Sequence, residues 1–189
     1  MRAAHLSLIA WLFTFGGCAA TSEVLQQKEP FDGQSFRYVS VTRPGNDIII
    51  GYEGGRSKLI VDDMVFQQDD CESDQFSVCF ESMPFEFAIV FPQSWKMMVG
   101  ETWSYKGEKF EVVKNSKRPW FRLYADLYLV KSTRQSGKSN IYLVGKGIGL
   151  VAIYLNADIG DCGFCVSAEN SFVLESHFPG LSVEVTDTN

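Results

Sequence analysis

Histidine is nearly missing from this chain of 189 residues: there are two, His5 and His177. A hydrolase built on serine, histidine and an acid would have to use His177, which follows Ser176, yet no G-x-S-x-G elbow is present to carry the nucleophile. A surface histidine late in a strand is the plainer reading. Positive charge is also short, with 17 Lys and Arg against 23 Asp and Glu and a net charge of −6. Phosphate contacts need clustered cations, so this balance argues against nucleic acid as a partner. Phosphate-binding loops fail on spacing. Ser136-Gly-Lys-Ser139 ends like one, but Ser132 stands where its first glycine belongs. Gly145-Lys-Gly-Ile-Gly149 lacks the G-x-G-x-x-G pattern and reads as a turn flowing into a strand. No window joins helix caps to an apolar stripe. No apolar run reaches the roughly 20 residues that cross a bilayer as a helix.

What the chain does have begins at residue 1. Arg2 is the one firm positive charge before the run Leu6 to Phe15, which is apolar except for Ser7 and Thr14. A charged start, a short apolar centre and small residues behind it make a secretory signal peptide. Gly16, Gly17 and Cys18 resemble the lipobox of bacterial lipoproteins, in which the cysteine is lipidated and becomes the mature N-terminus. That family usually has Leu three residues before the cysteine, where this chain has Phe15. Cleavage after Ala20 is the alternative, since Cys18-Ala19-Ala20 also offers small residues. The resemblance implies residues 1–17 as leader, an acyl chain on Cys18, and a membrane as the first partner. Ala19 is not the Asp used as an inner-membrane retention signal, so the outer membrane or periplasmic face of the cell envelope is the implied location.

Residues 18–30 are polar, end in Pro30 and read as a tether. Residues 31–189 read as one domain, large enough to bury close to 70% of its unfolded surface without many covalent staples. The dominant period there is two. Phe76-Ser-Val-Cys-Phe-Glu, Phe85 to Phe91 and Leu181-Ser-Val-Glu-Val-Thr186 alternate as half-buried antiparallel strands do. Asp47 to Tyr52, Leu59-Ile-Val61, Phe121 to Val130 and Ile141 to Val144 are more continuously apolar and predict strands nearer the middle of a sheet. Gly54-Gly55, Lys106-Gly107, Ser136-Gly137 and Gly145-Lys-Gly147 punctuate them, and Gly107 predicts a hairpin between Trp103-Ser-Tyr105 and Lys109 to Val113. The fold class expected is all-β and mainly antiparallel: a single curved sheet, a small sandwich or a half-barrel.

Five cysteines are present. Beyond Cys18, the four at Cys71, Cys79, Cys162 and Cys165 predict disulfides in an exported chain, with three pairings open and the local ones, Cys71–Cys79 and Cys162–Cys165, favoured. Thiol–disulfide exchange at Cys162-Gly-Phe-Cys165 is the sharper alternative. Asp161 and the missing βαβ setting weigh against it. A zinc site is disfavoured because only one C-x₂-C pair exists. Asp62, Asp63, Asp69, Asp70, Glu72 and Asp74 crowd one loop without the spacing of a calcium loop. No cofactor, metal or catalytic residue is predicted.

Pro92 to Trp103, Gly147-Ile-Gly-Leu-Val151 and Phe172-Val-Leu-Glu-Ser176 together resemble a broad group of uncharacterised bacterial lipoproteins with secreted β-rich domains. The likeness implies compartment and β fold, and no reaction. The function expected is a membrane-anchored envelope lipoprotein with a non-enzymatic binding or structural role toward an unknown protein. The alternative is a carrier of a lipid or other apolar ligand. Trp95, Met97, Met98 and Trp103 form an apolar cluster that would either line the carrier's mouth or pack over an open sheet edge.

Overall fold

The computed structural model describes residues 35–53, 56–61, 64–67, 76–82, 87–93, 95–120, 123–146 and 148–175. Cys18, Cys71, the acidic loop, His177, Gly54-Gly55, Gly147 and the run Leu181 to Thr186 lie outside them, as do the leader and tether. The described residues hold twelve strands and no helix: β1 (Ser35–Ser40), β2 (Ile48–Glu53), β3 (Arg56–Val61), β4 (Met64–Gln67), β5 (Phe76–Ser82), β6 (Phe87–Pro92), β7 (Thr102–Tyr105), β8 (Glu108–Trp120), β9 (Leu123–Thr133), β10 (Ser139–Gly145), β11 (Gly149–Ile159) and β12 (Val166–Leu174). Ten of them form one antiparallel sheet in the order β4-β3-β2-β1-β12-β11-β10-β9-β8-β7, open at β4 and β7, and β5 and β6 form a separate hairpin. The fold is all-β, as the alternation predicts.

The sequence order explains most of this sheet. Short turns join neighbouring strands, and Lys106-Gly107 closes β7 onto β8 with both residues at positive φ, 45° and 83°, the geometry of a two-residue hairpin turn. Among the described strands only β1 and β12 pair across the length of the chain, with Tyr38 opposite Leu174 and Ser40 opposite Phe172. The chain therefore enters β1 and leaves β12 side by side in the interior of the sheet.

The middle strands are apolar on both faces because both faces are covered. On the first face Tyr38, Ile48, Ile50, Leu59, Val61, Phe110, Val112, Val130, Tyr142, Val144, Leu150 and Ile153 join one buried cluster with Phe87 to Phe91 of β6. The β5–β6 hairpin lies over this face. Its carbonyls are used as acceptors: Tyr142 Oη donates to Ala88 O, and Trp103 Nε1 donates to Val90 O at 2.8 Å. Within the sheet, Tyr38 Oη donates to Leu150 O at 3.0 Å. Each large side chain withdrawn from water here contributes about 1.5–3 kcal/mol.

The second face holds another buried cluster, Leu127, Leu129, Ile141, Leu143, Ile148, Val151, Ala152 and Ala157, with Ile159, Phe164, Val166 and Ala168 packed against it. Those last four belong to the far end of the β11–β12 hairpin, so that end is folded back over the sheet. The bend sits at Asn156, whose φ is +48°. Leu155 lies in the first cluster and Ala157, two residues on, in the second. In a straight strand those two would share a face.

Candidate functional site

At the end of the sheet where β1 passes into β2, a cleft of about 160 Å³ opens on the first face. Its floor is apolar: Ile48, Val61, Phe87, Leu155 and Phe172. Its rim is polar: Ser40, Arg43, Asn46, Asn156 and Asn170. The floor comes from β2, β3, β6, β11 and β12, and the β1–β2 loop supplies much of the rim.

That loop is held by its own hydrogen bonds. Arg37 donates through Nε and Nη2 to Asp47 Oδ2 at 3.0 and 2.6 Å, and Ser40 N donates to Asp47 Oδ1 at 3.1 Å. Arg43 N donates to Ser40 Oγ at 3.0 Å, Asn46 N to Arg43 O at 3.1 Å, and Val41 N to Ser171 O of β12 at 2.8 Å. The Arg43 side chain is exposed at the rim and makes no ion pair among the described residues. Asn156 is fixed on both sides, its N–H on Asn140 Oδ1 at 3.0 Å and its Nδ2 on Glu169 Oε2 at 2.7 Å. A rim restrained in this way costs little further ordering when something binds.

The apolar floor runs on to the surface. Met64 of β4 sits directly opposite Val61, and directly opposed residues share a face. Met64 is 50% exposed. A second, open depression of about 320 Å³ lies round the bend, with Asn156 shared between the two and Gly137, Lys138, Ser139, Asp158 and Glu169 about it.

The aromatic cluster of the sequence reading is also brought together, as core. Trp95 is fully buried and Met97 nearly so. Trp95 stacks on Phe91 with ring centroids 5.2 Å apart, tilts against Trp103 at 5.6 Å and meets Tyr128 edge-on at 6.4 Å. Trp103 lies parallel to Phe110 at 5.6 Å. These rings fill the space between β6 and the β7–β9 end of the sheet, and only Met98 of the four, 56% exposed, faces water.

The cysteines divide into two settings. Cys79 on β5 is buried and disulfide-bonded, its partner lying outside the described residues, where Cys71 also falls. Cys162 and Cys165 are bonded to each other across a turn, with Cα atoms 5.5 Å apart, and both are exposed. Near the other end of the first face, Glu108 and Arg134 form an ion pair at 3.6 Å with side chains 9% and 21% exposed. Burial, with the negative charge of Glu108 behind it, holds the Tyr142 hydroxyl well above its usual ionisation range. Among the described residues no group of His, Cys, Asp and Glu gathers as metal ligands would.

Set beside known proteins, the chain stands apart. No family model matches it, and no curated protein or solved structure does either. Its chemistry has to be read from its own residues.

Proposed function

We propose that this chain is a membrane-anchored cell-envelope lipoprotein with a non-enzymatic role, binding a partner protein through the cleft at the β1–β2 end of the sheet. The observation that carries the binding role is the cleft itself. An apolar floor continues to exposed Met64, and a restrained polar rim carries an exposed Arg43. Buried apolar anchors ringed by polar groups are the usual anatomy of a protein–protein contact. At about 160 Å³ the cleft is smaller than the roughly 300–1,000 Å³ of pockets that enclose a drug-sized ligand, so one inserted side chain of a partner suits it better than an acyl chain. The leader, the Gly-Gly-Cys18 sequence and the disulfides support an exported, anchored chain.

Two measurements test this. Intact-mass analysis of membrane-extracted protein should find residues 1–17 removed, a lipid mass on Cys18, and no free thiol. A soluble, unacylated product with free thiols would overturn the anchored reading. A photo-crosslinking residue in place of Arg43, in the cell that makes the protein, should give a discrete adduct that Val61→Asp abolishes and a crosslinker at exposed Lys109 does not form. Equal labelling from both positions removes the cleft as the contact.

A further inference from the structure

We propose that the Cys162–Cys165 disulfide is an exchange site that accepts electrons from a dithiol, with Lys114 as its positioning residue. The proposal goes beyond binding at the cleft and does not depend on it. Reactive cysteines sit in exposed, electropositive surroundings, whereas buried ones are inert. Cys79 is buried in the first core, while Cys162 and Cys165 are both exposed on the tip of the folded hairpin.

The electropositive partner comes from β8. A β-carbon built on Gly163 would run into Lys114, with Cε at 2.8 Å and Nζ nearer still. The ammonium therefore lies on the bare Cα of the residue next to Cys162. Gly163 is buried although Asp161, Cys162 and Cys165 beside it are exposed. Two features of the backbone place Lys114 there. The bend at Asn156 brings the tip back across β10 and β9. A bulge at Val113 shifts the β8–β9 register so that Val112 faces Val130 and Lys114 faces Leu129, a residue of the second face. Lys114 makes no ion pair among the described residues. Asp161, in the turn itself, is the opposing charge; it is exposed, so water screens it.

The turn also holds its shape without the covalent bond. Gly160 N donates to Cys165 O at 2.8 Å, Gly163 N to Gly160 O at 3.1 Å, and Phe164 N to Cys162 O at 3.1 Å. Opening the disulfide leaves two thiols facing each other, ready to close again.

A thiolate of the partner dithiol attacks Cys165 Sγ, the Cys162–Cys165 bond breaks, and its electron pair stays on Cys162 Sγ as a thiolate beside Lys114. The partner's second thiol, deprotonated by solvent, then attacks its own sulfur in the mixed disulfide and releases Cys165. The partner leaves as a disulfide, oxidised by two electrons, and the Cys162/Cys165 pair is reduced by the same two. A leaving thiol of low pKa leaves faster, and an adjacent ammonium lowers that pKa.

The test uses the full-length protein, with dithiothreitol as the dithiol and iodoacetamide as the trap. In the Cys165→Ser variant, alkylation of Cys162 should have its pH midpoint at least about one unit below the ordinary thiol value near 8.5, and Lys114→Met should move that midpoint up by about half a unit or more. In the wild-type fold, dithiothreitol should open Cys162–Cys165 about tenfold faster than the same bond in a linear peptide of residues 158–168, with most of that gain lost in Lys114→Met. Circular dichroism confirms that each variant is folded, and a structural role for Lys114 would not move the alkylation midpoint. A midpoint at or above 8.5, a midpoint indifferent to Lys114→Met, or reduction no faster than in the peptide overturns the proposal.

Discussion

Asn156 is where the sequence changes the course of the sheet, and replacing it should show how much of the fold hangs on one left-handed residue. Its φ of +48° is comfortable for Gly, tolerable for Asn, and poor for any β-branched residue. In Asn156→Val the left-handed backbone costs about 1–2 kcal/mol. The lost bond to Glu169 Oε2, exposed and 2.7 Å long, adds about 0.5–1 kcal/mol. The sum is about 1.5–3 kcal/mol, and for a domain of this size each kcal/mol moves the midpoint by about 2–4 °C. A fall in Tm of about 3–12 °C is expected. Asn156→Gly loses the same side-chain bond and gives the unfolded chain more entropy to lose, but relieves the backbone, so its cost should stay at about 1 kcal/mol. Thermal and urea unfolding followed by circular dichroism, with disulfides intact, gives the order Asn, then Gly, then Val. A Val variant as stable as the Gly variant would refute the claim that a left-handed residue makes the bend.

Three further outcomes follow from the cores. Tyr142→Phe leaves Ala88 O without its buried donor and should cost about 1–3 kcal/mol in urea unfolding; a neutral result would mean the hairpin is not held to the sheet there. Burial raises the ionisation of Tyr128, Tyr142 and Tyr154 above the ordinary value near 10, with Asp126 adding to the rise at Tyr128 and Glu108 at Tyr142. Because the folded state holds these protons more tightly, their contribution is complete below pH about 10 and is lost as pH climbs through the raised values; a stability curve flat from pH 9 to 12 would contradict this. Arg134→Met removes the cation beside Glu108, whose side chain is 9% exposed, which should cost about 2–3 kcal/mol given the partial exposure of the arginine. Adding Glu108→Gln should recover much of that, and a double variant no better than the single one would deny the pairing.

Much of the architecture was legible because half-buried strands advertise themselves by alternation. Ile141 to Val144 is continuously apolar, and β10 proves to be buried on both faces. Lys106-Gly107 announced its hairpin by the demand for positive φ. β1 and β4 carried too little signal: Ser35–Ser40 mixes Phe36 and Tyr38 with polar residues, and Met64–Gln67 is a four-residue edge. The far half of β8 was invisible for another reason. Lys114 to Pro119 is nearly all polar, and pairing with β9 rather than periodicity makes it a strand. The cleft had no signature at all, since its rim and floor come from five separated stretches brought together by the β1–β12 pairing and by β6 lying over the sheet. The one clue to the bend was an Asn set among apolar strand residues, a type that tolerates left-handed backbone. Nothing in the order of residues said that Lys114 would rest on Gly163.

The pairing of β1 with β12 gives the body a direction. Ser35 and Leu174 emerge at one pole, where Glu175 N donates to Arg37 O, and the 41–47 loop stands at the opposite pole, about 20 Å along the strand. For a chain fastened at Cys18, the linking residues before Ser35 reach no more than about 60 Å from the bilayer when fully drawn out. On the proposed anchoring at Cys18, Arg43, Asn46 and their apolar floor stand at the pole away from the one where the linker joins β1.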